Sequence, residues 1–596
     1  MIRNIIINFI ILIFLSINIV FSKEVDLEEI SISANLYPTN IDNVGSSVTL
    51  ITKDEIENSP YPYFIDFIQN VPGLSISQNG PKGSSSSLFI RGLGLPYVKV
   101  LVDGINYGDV SSIPVVSNVS GFTLSNVDKI EVLKGSQSSL YGSSAIGGVI
   151  SILTNNFNES GKVNFEIGSY NTVAVNLSKK LKNKNSDSNL HISQFSTKGF
   201  SAKYNGEEPD GYQSKVLSIA SNYYISESNT FFLNFRSQKE NGDQDGFQNE
   251  PPYGFIDKSD EVYSNNTLAV KTGLEIDKKN INRIFETNFL NTKRFYTGPY
   301  EYEGKRNTIS YIEKNNSFLN PLVYGVKIHD DKTNLEGIQK NITQSHVFGE
   351  YFLQSSDRLD LIISGRVSNH SSFGTNSTGR LSTSYKFHDS IKVRGSIGTG
   401  YRSPSMYELF APFGGNEKLL PENSITSDLG IKINFLNNSL KVDSSIFKTE
   451  INDGIIYDLT TFGYTQSLEK ETREGIEFLA EYEINPAYKV SFSSAHISDG
   501  DGNKIRRVPM NEFTVNALIS LTKKLKSGIS LRHVNGLEDG EDLPDFTTVA
   551  LKSTYNFEKD VNFYLRAENI FDEDYQTIAD YSSPRRSIYF GLSRKF

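Results

Sequence analysis

The sequence predicts a membrane all-β protein: a roughly 22-stranded antiparallel transmembrane β-barrel with an N-terminal α/β plug domain in its lumen. Three observations lead there. From about residue 160 to the C-terminus, apolar and polar residues alternate at period two, as in strands with one face against an apolar medium. The connections in the C-terminal half alternate between short and long. Residues 23–156 differ in texture, with short apolar runs cut by Gly-rich turns.

Composition narrows the class further. The chain has 596 residues, with 59 Lys+Arg against 69 Asp+Glu and a net charge of −10. That balance opposes a protein that tracks nucleic-acid phosphates. The chain has 7 scattered His and no Cys, which leaves no zinc cluster, thiolate nucleophile or iron–sulfur cage. Hydrophobic residues are 37%, too few for a multi-helix membrane protein. Beyond the first 22 residues no stretch approaches the roughly 18–20 apolar residues of a spanning helix.

Residues 1–22 read as a signal peptide, with Arg3 before the apolar core Ile5 to Val20 and cleavage before Lys23. A retained anchor helix is the alternative, weakened by Asn8 and Asn18 inside the stretch. Residues 23–40 form a leader and linker, and residues 41–156 a compact domain. In the latter, Ser47–Ile51, Ser87–Ile90, Val98–Val102, Lys129–Leu133 and Gly148–Leu153 are strand-like. A helix is expected at Asp54–Gln69, broken by Pro60 and Pro62.

Residues 157–596 are the barrel. Strands are expected near 380–386, 391–400, 424–434, 439–450, 473–484, 488–497, 512–522, 528–534, 546–556, 561–570 and 587–596. Long connections at 401–423, 451–472, 498–511, 535–545 and 571–586 alternate with short ones, the mark of an outer-membrane barrel. About 20 residues per strand extrapolates to about 22 strands, a size at which the lumen is plugged. Residues 23–156 are the candidate plug.

The segments Phe89–Ile105 and Val127–Thr154 resemble the plug of TonB-dependent outer-membrane receptors. Gly400–Phe410, Thr472–Tyr482 and Ala567–Gln576 are similar to barrel segments of that family. A departure is Gly135-Ser136, where the family usually carries Gly-Pro. Arg91, Asp103 and Glu131 are charges inside strand-like runs and are expected to form buried ion pairs fixing plug to barrel. Just after the signal-peptide cleavage site, Glu28, Glu29, Ile30, Ser31, Ile32, Ser33 and Ala34 resemble the family's Ton box. An extended segment of this kind can add as a strand to a partner's sheet edge; the resemblance implies that the partner is the inner-membrane TonB energiser.

The resemblance implies active uptake of a large scarce nutrient by an outer-membrane monomer, with no covalent chemistry and no cofactor for it. Two acidic clusters bear on the nutrient. The second long loop carries Glu208 and Asp210, and the third Asp243, Asp245, Asp257 and Asp260. Concentrated carboxylates suit calcium, with ligands expected from Glu208, Asp210, Asp243, Asp245 and Asp260; solvated acidic loops are the other reading. Calcium-ordered loops are what similarity to the cobalamin (vitamin B12) receptors would imply. Leu93, Tyr97, Asn106 and Tyr107 would then floor a site for a large neutral ligand.

A ferric siderophore is the alternative, kept open by Arg402, Arg506, Arg507, Arg585 and Arg586 at loop edges. Haem fits less well, because Ser403–Glu422 contains no His ligand. A passive porin would not need the N-terminal domain. A hydrolase would need a convergent triad that the dispersed histidines do not suggest.

Overall fold

The computed structural model describes residues 30–31, 35–112, 119–154, 161–248, 254–258, 260–298, 300–318, 320–356 and 358–596. The expected signal peptide and the leader residues Glu28, Glu29, Ile32, Ser33 and Ala34 lie outside them. No helix among the described residues is long and apolar enough to cross a membrane.

Twenty-two antiparallel strands close a barrel, from Lys162–Gly168 through to Ser587–Lys595, which pair with each other across the seam. The alternation is inside-out. Ile309, Val326, Ile328 and Val347 face outward and exposed, while Ser310, His346, Glu350 and Arg366 are buried within the lumen. A strand bearing apolar residues on its outer face and polar ones inward belongs in a bilayer around a filled lumen.

The N-terminal domain fills that lumen. Its five-stranded mixed sheet has the order Val48–Thr52, Lys129–Lys134, Gly148–Leu153, Val98–Val102 and Ile105–Asn106. Val98–Val102 and Gly148–Leu153 run parallel. A separate hairpin joins Leu74–Gln78 to Ser86–Ile90. Lys53–Asn58 is a helix closed by a capping box between Thr52 and Glu55. Pro60 and Pro62 separate it from Phe64–Ile68, whose Phe64, Ile65, Phe67 and Ile68 enter the plug core. At Gly148 (φ +156°) a Cβ would stand 2.2 Å from the Leu133 carbonyl oxygen, so the sheet closes there only without a side chain.

The N-terminal segment marks the periplasmic end. Tyr37 packs on Phe352 and its hydroxyl accepts from Asn316, beside the short turns. Loops at the opposite end face the exterior. In the C-terminal half they run long, as the sequence indicates, and one forms its own hairpin, Ile455–Asp458 with Gly463–Gln466; the third loop, in the N-terminal half, forms another, Gly246–Gln248 with Gly254–Ile256. Long external loops do not continue around the barrel. The external connections after Ile281–Tyr296, Leu322–Leu335 and Leu359–His370 are as tight as the periplasmic turns. Those strands instead pair without interruption to their tips, which lowers one side of the rim.

Candidate functional site

Three groups of residues join plug, barrel and external loops. The first is a buried charge cluster. Arg91 is 2% exposed and meets Asp428 at 2.6 Å and Glu477 at 3.0 and 2.9 Å. Its guanidinium lies 4.4 Å from the centre of the Phe447 ring. Lys134 reaches the same Glu477 at 3.2 Å. Plug cations thus grip barrel carboxylates, and bidentate geometry makes the pair directional. A second tie inverts the polarity: barrel Arg380, paired with Glu350 at 3.2 Å, donates to plug Gln137, Ser46 and Asn35.

The other two charges singled out in the sequence act differently. Asp103 (φ 51°) and Gly104 (φ 81°) form the two-residue turn between Val98–Val102 and Ile105–Asn106. Asp-Gly favours that hairpin geometry. The Asp103 carboxylate accepts from the Thr154 backbone N–H and hydroxyl at 2.8 and 2.7 Å; it stays within the plug. Glu131, fully buried, pairs with Lys129 at 2.6 Å, two residues along the same strand face. Of the three, Arg91 alone forms a plug-to-barrel ion pair among the described residues.

The second group is the acidic chamber. Oxygens of Glu208, Asp210 and Asp245 lie within 4.8 Å of one another. Asp210 is 1% exposed; its Oδ2 accepts from Ala202 at 2.6 Å while its Oδ1 has no partner among the described residues. Glu208 Oε2 is likewise buried and unpartnered. Asp245 accepts from the backbone N–H of Lys203 and Lys258, both at 2.9 Å, and Asp243 from that of Gly211 at 3.0 Å.

Burial, reinforced by the neighbouring carboxylates, pushes Glu208 and Asp210 each up to about 7. Asp257 is shifted down: burial opposes ionisation, but the N–H groups of Glu207 and Glu208 outweigh it. Asp257 bridges the two loops through those bonds, at 2.8 and 3.2 Å, and through Ser201. The sequence reading counts Asp257 among the loop acids but omits it from the ligand set. Asp260, included there, is exposed and stands outside the convergent group. Separations along the chain cannot show which loop acid turns inward.

The plug rises to meet these loops. Tyr263 donates to the Gly83 carbonyl at 2.6 Å, and Gly80 packs against Ala202 of the second loop. The residues expected on the plug apex are mostly enclosed. Leu93 is buried against Ile146 and Ile451, and Tyr107 lies in the plug core. Tyr97 is partly buried, donates to Glu422 and lies 5.7 Å from the Arg402 guanidinium. Asn106 caps its own turn by accepting from Gly108. The apolar bodies of Leu93 and Tyr107 serve packing, which their neighbours in sequence do not reveal.

The third group lines the external side. Tyr296, Tyr302, Tyr407, Tyr464 and Tyr457 follow one another with ring centres 5.1–6.5 Å apart. Four of the five loop-edge arginines are paired with acids. Arg402 holds Glu422 and Glu408, Arg506 and Arg507 share Asp539, and Arg585 pairs with Asp572 and Asp574.

Comparison with known proteins agrees with this architecture. Residues 140–570 match the family model for the TonB dependent receptor-like β-barrel, and residues 40–149 that of the TonB-dependent receptor plug domain. The vitamin B12 transporter BtuB of Vibrio cholerae serotype O1 is 23% identical over 605 residues, covering 96% of this chain and 95% of that protein. BtuB of Vibrio vulnificus is 25% identical over 599 residues, 94% of each. Among solved structures, the siderophore receptor PirA from Acinetobacter baumannii aligns with a TM-score of 0.77 at 17% identity, over 93% of this chain and 98% of that one. The ferric-catecholate import receptor Fiu from E. coli K12 aligns with 0.78 at 15%, over 94% and 98%. A closed 22-stranded barrel, a plug tied to its wall by buried charge and a family match to both parts make this chain a member of the TonB-dependent receptors, proteins of the bacterial outer membrane.

Proposed function

We propose that the receptor takes up cobalamin, with calcium ordering its second and third external loops. The observation that carries this reading is the acidic chamber: two inward carboxylates with unpartnered buried oxygens, beside further acids fixed by backbone N–H groups. Such a set offers the several oxygen ligands a hard cation takes. Glu208, Asp210, Asp243 and Asp245 would hold the ion, with Asp257 fastening the loops around it. The named function of the B12-transporter relatives, which span almost the whole chain, supports the nutrient. The tyrosine row offers ring faces and hydroxyls suited to a large, largely neutral ligand. Arg402 and Arg585, each held by two acids, leave less attraction for an anionic complex.

Transport would draw its work from TonB. The leader 28–34 would pair with the energiser as an added strand, and force transmitted through the linker would act on the plug. The test is equilibrium binding of cyanocobalamin to the purified receptor in detergent, first with calcium and then with chelator. Tight binding that weakens on chelation is expected. Equal affinity in both conditions removes the calcium role, and no binding in either passes the substrate assignment to a ferric siderophore, the named ligand class of several structural neighbours.

A further inference from the structure

On the low side of the rim, plug and barrel part around a cavity of about 160 Å³. The barrel strands Glu301–Asn315, Leu322–Leu335, Ile338–Ser356 and Leu359–His370 supply one wall, and Ser403–Met406 of an external loop lies over it. Its lining carries four cations, Lys99 from the plug and Arg306, Lys327 and Arg366 from the barrel, against one carboxylate, Asp331. Asp331 is committed to Arg306 by two bonds of 2.7 and 2.6 Å. Glu286, which acts on Lys327 through space, is bonded to Lys271 at 3.0 Å and to Ser310.

Arg366, 4% exposed, donates to the Leu140 carbonyl and the Ser368 hydroxyl, both at 3.1 Å. Lys99 donates to the Tyr141 carbonyl at 2.6 Å. Among the described residues, Lys99, Lys327 and Arg366 form no ion pair. Along the same wall, Arg306 Nη1 and His346 Nδ1 are buried without a hydrogen-bond partner. His346 stacks on His329, with Nε2 3.1 Å from the latter's Nδ1. At the Arg91 cluster the plug meets the barrel through opposite charges; here like charges face each other in a medium that screens them poorly.

We propose that this cavity binds a small inorganic oxyanion of the phosphate class, which bridges Lys99 of the plug to Arg306, Lys327 and Arg366 of the barrel. Guanidinium forks match the oxygens of such an anion, and lysine adds a point charge. The histidine pair fits the same occupant. When His329 Nδ1–H donates to His346 Nε2, the proton of His346 rests on Nδ1, a donor for an anion oxygen. The bound anion converts a repulsive stretch of the plug–barrel boundary into a further tie.

Equilibrium dialysis of the purified full-length receptor against radiolabelled inorganic phosphate, with ionic strength held constant by chloride, tests the site. One saturable phosphate per chain is expected, weakened about tenfold or more in Arg366→Gln and in Lys99→Gln, each retaining a barrel that resists SDS at room temperature. If Arg366→Gln loses that barrel, Lys327→Gln on the same wall is read in its place. Phosphate retention no greater than the chloride control allows, or undiminished in either variant, overturns the proposal.

Discussion

Arg91 adopts a left-handed backbone conformation, φ 53°, which strains a residue with a side chain. Its contacts with Asp428 and Glu477 hold it there. Glu477→Gln keeps the volume and removes the charge that both Arg91 and Lys134 meet. Breaking a buried pair in this way costs about 3–5 kcal/mol. The chain has no cysteine, so thiol labelling of a single cysteine introduced at fully buried Ser77 reports plug release in urea. Its midpoint is expected to fall sharply in the variant; an unchanged midpoint would show that the cluster does not hold the plug.

In the acidic chamber, Glu208 and Asp210 titrate near 7, above the ordinary carboxylate range. Raised pKa values favour the protonated, uncharged form in the folded loops. Without a cation, the loops are therefore steadiest at low pH and lose that stability as pH rises through about 7. A bound cation reverses the dependence. Calcium affinity is expected to drop on going from pH 8 to pH 6, by up to about tenfold for each carboxyl that must shed a proton, as read by calorimetry. A flat profile would exclude these two groups as ligands. Arg91 was legible in the sequence because a charge inside an apolar run must find a partner. Asp103 was misread because a Gly follows it, and the turn they make competes with pairing.

The strands and plug elements follow closely from local pattern. Val98–Val102 and Gly148–Leu153 have the expected bounds, and the proline-broken helix resolves into two short ones. The tight external connections were not legible, since a two-residue turn such as 336–337 leaves a pattern that continues through it. At the N-terminus, Ile30–Ser31 pair antiparallel with Thr39–Asn40 of the same chain. Part of the leader thus forms a short strand, paired with the linker that follows it. Deleting residues 28–34 is expected to abolish uptake of the nutrient by cells while surface binding persists. Loss of both would point to a folding defect, and retained uptake would place the coupling elsewhere.

For the molecule as a whole, the sequence carries the inside-out logic clearly: outward Ile309 is 68% exposed beside buried Ser310. Ile309→Arg would place a charge in the lipid, at a cost of about 2–4 kcal/mol near the bilayer midplane. Folding titrations in lipid vesicles should show that loss; a neutral result would mean that this band does not face hydrocarbon. What local pattern cannot specify is which distant groups meet. The pairing of Glu166 with Arg566, 400 residues apart, leaves no trace in either neighbourhood.

That long-range pairing has a consequence for biogenesis. Lys162–Gly168 finds its second neighbour only in Ser587–Lys595, the last strand of the barrel. Until then the growing sheet has two unsatisfied edges, each a template for aggregation. A chain cut short anywhere before Ser587 could assemble most of its hairpins and still never close. Closure therefore serves as a proof of completeness: a protease that recognises open sheet edges would clear prematurely terminated receptors and spare finished ones, without inspecting the nutrient site.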